Sequence, residues 1–188
     1  MNHERRGLLP ALFLLTLAYF ALGFVSILFA NLAIFCILIP FLMLGFTKQR
    51  TWCHRYCPRA SLAEAVGKPR PWRKSPHFIA SGQTKRYLLW YFSLNLLFIA
   101  GSTTRIALHQ MEAMPFIRLF IVIPLFSLPQ LLTLGMPAWL LHLSYRFYSM
   151  MLSTTILSVA FALLYRPRLW CSVCPMGNLM NTMKHSFR

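Results

Sequence analysis

Residues 7–46 read GLLPALFLLTLAYFALGFVSILFANLAIFCILIPFLMLGF and contain no charged side chain. As one continuous helix this stretch would be about 60 Å long at about 1.5 Å per residue, twice the ~30 Å hydrocarbon thickness of a bilayer. We therefore predict that residues 8–46 fold back as a helical hairpin of two membrane spans, at about 8–27 and 31–46. Asn31 and the Gly23–Ser26 region are the expected places for the turn.

The composition of the whole chain also indicates a membrane protein. Of its 188 residues 57% are hydrophobic and 12% are charged, whereas a soluble domain usually carries about twice that charged fraction. The charges are 19 Lys+Arg against 3 Asp+Glu, and this shortage of carboxylates excludes glycosidase-type acid pairs and Mg²⁺ or Ca²⁺ cages. The positive-inside rule explains the net charge of +16, so we expect a lipid bilayer and no nucleic acid as its surroundings.

Charged and proline-containing segments divide the rest of the chain. After the hairpin we predict a basic loop at 47–86 and a span at 87–104. A proline-broken re-entrant or interfacial segment on the outer face follows at 105–147, then a last span at 148–165 and a basic tail at 166–188. Within the basic loop, residues 61–66 predict a short helix that ends at Gly67.

The basic segments determine the predicted orientation. The N-terminus, the basic loop and the tail should all be cytoplasmic, which requires an even number of crossings. If 119–136 formed an ordinary span there would be five crossings, and the basic tail would lie outside. We therefore expect one all-α membrane domain with about four transmembrane helices in the cytoplasmic (inner) membrane of a bacterium.

Four of the five cysteines form two short pairs after predicted spans. Residues 50–58 read RTWCHRYCP and residues 168–175 read RLWCSVCP. The shared frame, R-x-W-C followed by two or three residues and C-P, indicates a duplication of span, span and motif. Because both motifs follow spans that descend to the same side, we expect two parallel repeats about an axis along the membrane normal. The four thiols of the two motifs would then meet at the cytoplasmic surface.

Four converging thiolates suit either an iron–sulfur cluster or a structural zinc ion. Three features favour iron. The C-x-x-x-C-P spacing matches the end of the bacterial ferredoxin motif, the proline holds the preceding cysteine extended, and nearby Arg and Lys favour thiolates. The predicted ligands are Cys53, Cys57, Cys171 and Cys174, and [4Fe-4S] is favoured over [2Fe-2S]. The fifth cysteine, Cys36, is expected to be a packing residue of the second span.

The motifs resemble those of the polytopic iron–sulfur electron-transfer proteins of the NapH and NosR kind and of related membrane ferredoxins with a 4Fe-4S binding domain. These proteins carry W/F-C-x-x-x-C-P after one span and C-x-x-x-C-P-x-G after a later one. The matching residues are Cys53, Cys57 and Pro58 in the first motif, and Cys171, Cys174, Pro175 and Gly177 in the second, which has two intervening residues instead of three. The resemblance implies electron transfer from quinol or a cytoplasmic donor towards a reductase or ferredoxin-like partner.

The expected function is therefore that of an accessory electron-transfer subunit rather than of a complete enzyme, with no catalytic residue assigned. A site on one surface cannot move an electron across ~30 Å of hydrocarbon by itself, so we expect a second carrier, either quinol or a cofactor on a partner subunit. Arg105, Gln110, Glu112 and Arg118 could form a polar quinone site, or else a solvated loop.

Two other classes of function use the same cysteines. A quinone-linked thiol–disulfide oxidoreductase also has four spans and two cysteine pairs, but it needs its thiols on the oxidising side of the membrane. The other alternative is a membrane scaffold or transporter whose fold is stabilised by a bound zinc ion.

Overall fold

The computed structural model describes residues 11–48, 52–67, 79, 81–119, 123–125 and 135–186. Most of this described chain is helical. Its α-helices are α1 (Leu12–Val25), α2 (Ala33–Thr47), α3 (Pro58–Gly67), α4 (Gly82–Ala107), α5 (Ala138–Leu164), α6 (Leu169–Val173) and α7 (Pro175–Ser186). The parts of the predicted basic loop at 68–78 and of the predicted outer segment at 126–134 lie outside the described residues.

The chain divides into two compact units. The first unit takes its described residues from 1–16, 36–89 and 157–188, and the second takes them from 17–35 and 90–156. Both cysteine motifs belong to the first unit. The turn of the N-terminal hairpin and the first two-thirds of α5 belong to the second.

The N-terminal apolar stretch is broken as its length requires. Ser26 has an extended backbone (φ −152°, ψ 130°), and a 3₁₀ turn over Ile27–Leu32 follows it. This turn separates α1 from α2 and includes Asn31, one of the two places predicted from the sequence. Asn31 Nδ2 donates a hydrogen bond to Ser144 Oγ of α5 at 2.9 Å, whereas its Oδ1 atom is buried without a donor among the described residues.

Within the described parts of the chain, two helical stretches are long and apolar enough to cross a membrane, judged by length and composition: Ile27–Thr47 and Ala138–Leu164. Helix α1 is apolar but has only 14 residues. Helix α4 has 26 residues and carries Lys85, Arg86 and Arg105. A mostly helical fold is thus confirmed, whereas membrane integration and the arrangement of four spans in two repeats stay predictions.

Helix α5 differs most from its expected bounds. It begins at Ala138, ten residues before the expected start of the last span and inside the segment expected to lie on the outer face. The Pro137 carbonyl accepts hydrogen bonds from the backbone N–H groups of Leu140 (3.0 Å) and Leu141 (3.3 Å). Proline is tolerated at a helix start, where no preceding turn needs its missing N–H. Pro137 therefore marks where the helix begins.

A short two-stranded antiparallel sheet interrupts the otherwise helical fold. Strand β1 (Arg118–Leu119) pairs with β2 (Ile123–Pro124), so that Arg118 lies opposite Pro124 and Leu119 opposite Ile123. Proline has no N–H to donate, so its place at the edge of this small hairpin costs no ladder hydrogen bond. The prolines of this segment were expected to exclude regular structure, and here one of them is accommodated in a strand.

The core of the second unit packs around two tyrosines of α5. Its buried residues are Ile27, Ala30, Ile117, Tyr145 and Tyr148. The Tyr148 ring packs edge-on against Phe20, with centroids 5.6 Å apart, and its hydroxyl donates to the Phe20 carbonyl at 3.3 Å. Gly23 lies beneath the same ring, and a Cβ at this position would overlap the Cε2 atom of Tyr148. A glycine is therefore required for α1 to approach α5 so closely.

We predict that Gly23→Ala lowers the thermal stability of the full chain purified in detergent. The added methyl group forces the Tyr148 ring out of its packed position, a kind of overpacking that costs about 1–3 kcal/mol. Gly45→Ala in α2 is the matched control, since a Cβ there meets nothing within 4 Å. Alanine also favours a helix interior over glycine, so the control should be as stable as the natural chain or slightly more so. Equal unfolding midpoints for the two variants would contradict the packing described.

Candidate metal centre

The two cysteine motifs occupy equivalent positions relative to short helices. The first begins in a helical turn over Trp52–Tyr56 and ends at Cys57, directly before α3. The second begins in α6 and ends at Cys174, directly before α7. In each motif the last cysteine is therefore the residue that caps a helix beginning with proline.

The Cys-Pro pairs explain this shared local structure. Proline is favoured as the first residue of a helix, since its φ is already helical and its missing N–H has no partner to lose there. The residue before proline is driven towards extended backbone, and Cys174 has φ −52° and ψ 126°. The Cys57 carbonyl accepts from Ser61 N–H at 3.1 Å, and the Cys174 carbonyl accepts from Asn178 N–H at 3.0 Å. Both cysteines are thus held at helix N-termini by the same bond.

Cys57 and Cys174 both lie directly before a helix N-terminus. The N-terminus of a helix carries a partial positive charge, which stabilises a nearby anionic group. An anionic metal group bound at these two cysteines would therefore lie beside two helix N-termini.

Helix α3 connects the two motifs in space. It follows the first motif directly, and its Glu64 carboxylate accepts two hydrogen bonds from Arg168, from Nη2 at 2.6 Å and from Nε at 3.1 Å. Its last residue, Gly67, lies against Pro167, where a Cβ would come within 3.0 Å of the proline Cγ. Since Pro167 and Arg168 immediately precede α6, these contacts position the first motif beside the second.

The Cys171 thiol interacts electrostatically with the other three motif cysteines. Burial, the largest cause, and the charges of Cys57, Cys174 and Cys53 together raise the pKa of the Cys171 thiol to about 12, while Arg168 lowers it. Joint binding of one metal group by these four cysteines stays a prediction.

Apolar and sulfur-containing side chains surround these thiols. Met180 of α7 is fully buried, and the Cys53 thiol donates to its Sδ at 4.0 Å. Trp170 is 5% exposed and stacks on Phe161 with centroids 5.9 Å apart. Leu169, Trp170 and Val173 of α6 form the core of a buried cluster against which Cys174 also packs. The second motif is thus part of the hydrophobic core of its unit.

The residues fit a thiolate-bound metal group. All five cysteines are free and half-buried, and soft thiolate ligands select iron–sulfur clusters, Zn²⁺ or Cu⁺. The Trp170 indole Nε1–H is buried without an acceptor in the described part of the chain, a donor of the kind that bonds to cluster sulfur. Among the described residues, no group of three or more His, Cys, Asp or Glu is arranged around a single metal-ion position.

The proposed polar quinone site is not assembled in the same way. Arg105, Gln110 and Glu112 have exposed side chains near the end of α4, and Arg118 lies in β1. Within the described residues, no side-chain hydrogen bond or ion pair joins any two of these four. Arg118 instead contacts Met114, with its Nη2 atom 3.3 Å from the Sδ atom.

Sequence reasoning missed three residues that shape the metal centre: Glu64, Gly67 and Met180. Glu64 did have a signal, because it is a single acid within a strongly basic loop and so is a candidate for an ion pair. Gly67 was recognised as a helix end but not as a close contact. Met180 had no signal of its own, since its role depends on how α7 packs beside Cys53.

Comparison with protein families finds one match, to the 4Fe-4S binding domain, over residues 27–76 and 149–188. Each matched segment contains one of the two cysteine motifs. Neither curated proteins nor solved structures give a match to this chain. The similarity to the 4Fe-4S binding domain, together with four neighbouring thiols, supports an iron–sulfur protein.

Proposed function

We propose that this chain is a membrane-bound electron-transfer protein in which Cys53, Cys57, Cys171 and Cys174 hold one [4Fe-4S] cluster. The observation that carries the proposal is the shared position of Cys57 and Cys174, each at the start of a helix in a segment similar to the 4Fe-4S binding domain. The mutual influence of the four thiols supports a single shared group rather than two separate ones.

The surroundings of the thiols suit electron transfer. A [4Fe-4S] cluster supplies one-electron chemistry when it is bound. Met180, Trp170 and Val173 exclude water on the protein side, and Arg168 adds positive charge near Cys171. Low polarity and nearby charge are the means by which a protein adjusts such a reduction potential.

The proposed partners follow from the same reasoning. The motifs resemble those of accessory proteins of the NapH and NosR kind, so quinol or a cytoplasmic donor is the proposed source of electrons. A reductase or a ferredoxin-like subunit is the proposed acceptor. The two apolar stretches Ile27–Thr47 and Ala138–Leu164 support placement in a bacterial cytoplasmic membrane, with the basic segments on the cytoplasmic side.

Two alternative functions predict different results in the experiments below. A thiol–disulfide oxidoreductase would place its cysteines on the oxidising side of the membrane. A zinc-stapled scaffold would bind zinc at the same four thiols, which zinc also accepts as ligands.

Cys171→Ser should abolish the visible absorption of the anaerobically purified protein together with its iron and acid-labile sulfide. The natural chain should contain about four irons, the composition of the proposed cluster. Cys36→Ser is the control for loss of a thiol outside both motifs: Cys36 lies in α2, close enough to interact with Cys57, and as a packing residue rather than a ligand it should leave the full complement of iron. Zinc in the natural chain without iron or sulfide would support the scaffold and contradict the proposal.

Glu64→Gln should make the metal centre more labile without removing it. The ion pair is partly exposed, with Arg168 43% and Glu64 25% accessible, so its loss should cost up to about 1 kcal/mol of stability. The rate at which a chelator removes iron should rise. Glu112→Gln removes an exposed acid elsewhere in the chain and should leave that rate unchanged, whereas an equal effect of both substitutions would refute the positioning role of Glu64.

In cells grown without iron, a membrane-impermeant maleimide should label the motif cysteines only after the cells are opened. The positive-inside rule places them in the cytoplasm. Glu112→Cys provides the control, because residue 112 is exposed and lies in the segment predicted to be outside, so it should be labelled in intact spheroplasts. Labelling of Cys53 from outside would favour the thiol–disulfide oxidoreductase instead.

A further inference from the structure

A cluster of basic side chains lies in the second unit, where β1 packs beside α5. Arg118 Nη2 donates to Met114 Sδ at 3.3 Å, and Arg146 Nη2 donates to the same sulfur at 3.7 Å. Two guanidinium groups thus converge on one atom. Both arginines are only half-buried, so a ligand can approach them.

The two guanidinium groups lack a counter-charge in the described part of the chain. A thioether sulfur is a weak hydrogen-bond acceptor and carries no charge. Glu112 is exposed, and Glu64 pairs with Arg168 in the other unit. No carboxylate among the described residues forms an ion pair with Arg118 or Arg146. Like charges held together without an anion repel each other, so the arrangement favours binding of an anion.

His142 is a buried polar neighbour of Arg146. The imidazole is 1% exposed, and its Nε2 atom lies 3.4 Å from Arg146 Nε and 3.0 Å from Ser102 Oγ. The Ser102 hydroxyl itself donates to the Ile99 carbonyl at 3.1 Å. Arg146 is thus held against a buried ring of α5, and its Nη2 atom is the one directed at Met114.

The backbone holds these groups in place before any ligand binds. Arg118 N–H donates to Ser149 Oγ at 3.0 Å, and the Ser149 hydroxyl donates to the Tyr145 carbonyl at 2.7 Å. Ile117, next to Arg118, is fully buried. β1 is therefore fixed against α5, and Arg118 stays beside Arg146 at little entropic cost on binding.

We propose that Arg118 and Arg146 form a binding site for a phosphate oxyanion, and that its occupant is the phosphate of a phospholipid headgroup. Guanidinium groups bind phosphate through paired, charge-assisted hydrogen bonds. Helix α5 has 27 residues, about 40 Å at about 1.5 Å per residue, which exceeds the ~30 Å of bilayer hydrocarbon. If the helix spans the membrane as proposed above and about its last 20 residues cross the hydrocarbon, Arg146 lies at the boundary with the headgroups.

Thermal unfolding of the full chain, washed free of lipid in detergent, tests the site with inorganic phosphate as the probe. At constant ionic strength, replacing chloride by phosphate should raise the unfolding midpoint until the site is saturated, since a ligand stabilises the state that binds it. Arg118→Gln should weaken phosphate binding about tenfold or more, as expected for loss of a charge-assisted hydrogen bond. Arg118→Lys keeps the charge but loses the planar fork and should give an intermediate affinity.

Arg105→Gln is the matched control. Arg105 lies in the same unit and is exposed, so its loss lowers the net charge equally and should change phosphate affinity by less than about twofold, as for a remote surface charge. Mass spectrometry of the purified proteins distinguishes the source of the phosphate: the natural chain and Arg105→Gln should retain a phospholipid that Arg118→Gln loses. A response to free phosphate without retained phospholipid would overturn the headgroup as occupant.

The oxyanion site itself is refuted if phosphate shifts the natural chain and Arg118→Gln equally and both retain the same lipid. Iron and sulfide measured on the same samples separate this result from the proposed function. If a variant loses phosphate binding but keeps its iron, the change affects only the proposed oxyanion site of the second unit. If the natural chain contains no iron, only the proposed cluster at the cysteine motifs is contradicted.

Discussion

The docking of α3 against the turn before α6 is the constraint on which the metal centre depends. Glu64 and Arg168 are 104 positions apart, and closing a loop of that length carries a large entropic cost. A partly exposed ion pair contributes up to about 1 kcal/mol. The ion pair and the Gly67–Pro167 contact therefore set the register of α3, while burial of Leu169, Trp170 and Val173 supplies most of the stabilising free energy.

The thiols themselves oppose this assembly until a metal binds. Burial and neighbouring thiols raise the pKa of Cys171 to about 12, so bringing four thiolates together without a cation is unfavourable. Arg168 offsets part of this effect, because its positive charge lowers the pKa of Cys171. A bound metal group would remove the remainder, which is why metal binding and folding are coupled in such sites.

Some features could be predicted from residues alone because their causes are local. The apolar stretch of 7–46 has to turn, and Ser26 and the following 3₁₀ turn provide the break. Residues 61–66 were predicted to be helical with an end at Gly67, and α3 covers them but begins earlier, at Pro58, because proline fixes φ and lacks an N–H. Helix α5 likewise begins ten residues before the expected span, where the Pro137 carbonyl accepts the first hydrogen bonds of the helix.

Sequence by itself determined the apolar, basic character of the chain, the turn within its N-terminal apolar stretch and the identity of the four thiols as candidate ligands. These depend on composition, spacing and backbone preferences, which act within a few residues. Only the tertiary structure decided that Glu64 meets Arg168, that Met180 covers Cys53, and that Arg118 and Arg146 share one sulfur. Such contacts join residues distant in sequence, and the packing of whole helices selects them, so no local pattern specifies them.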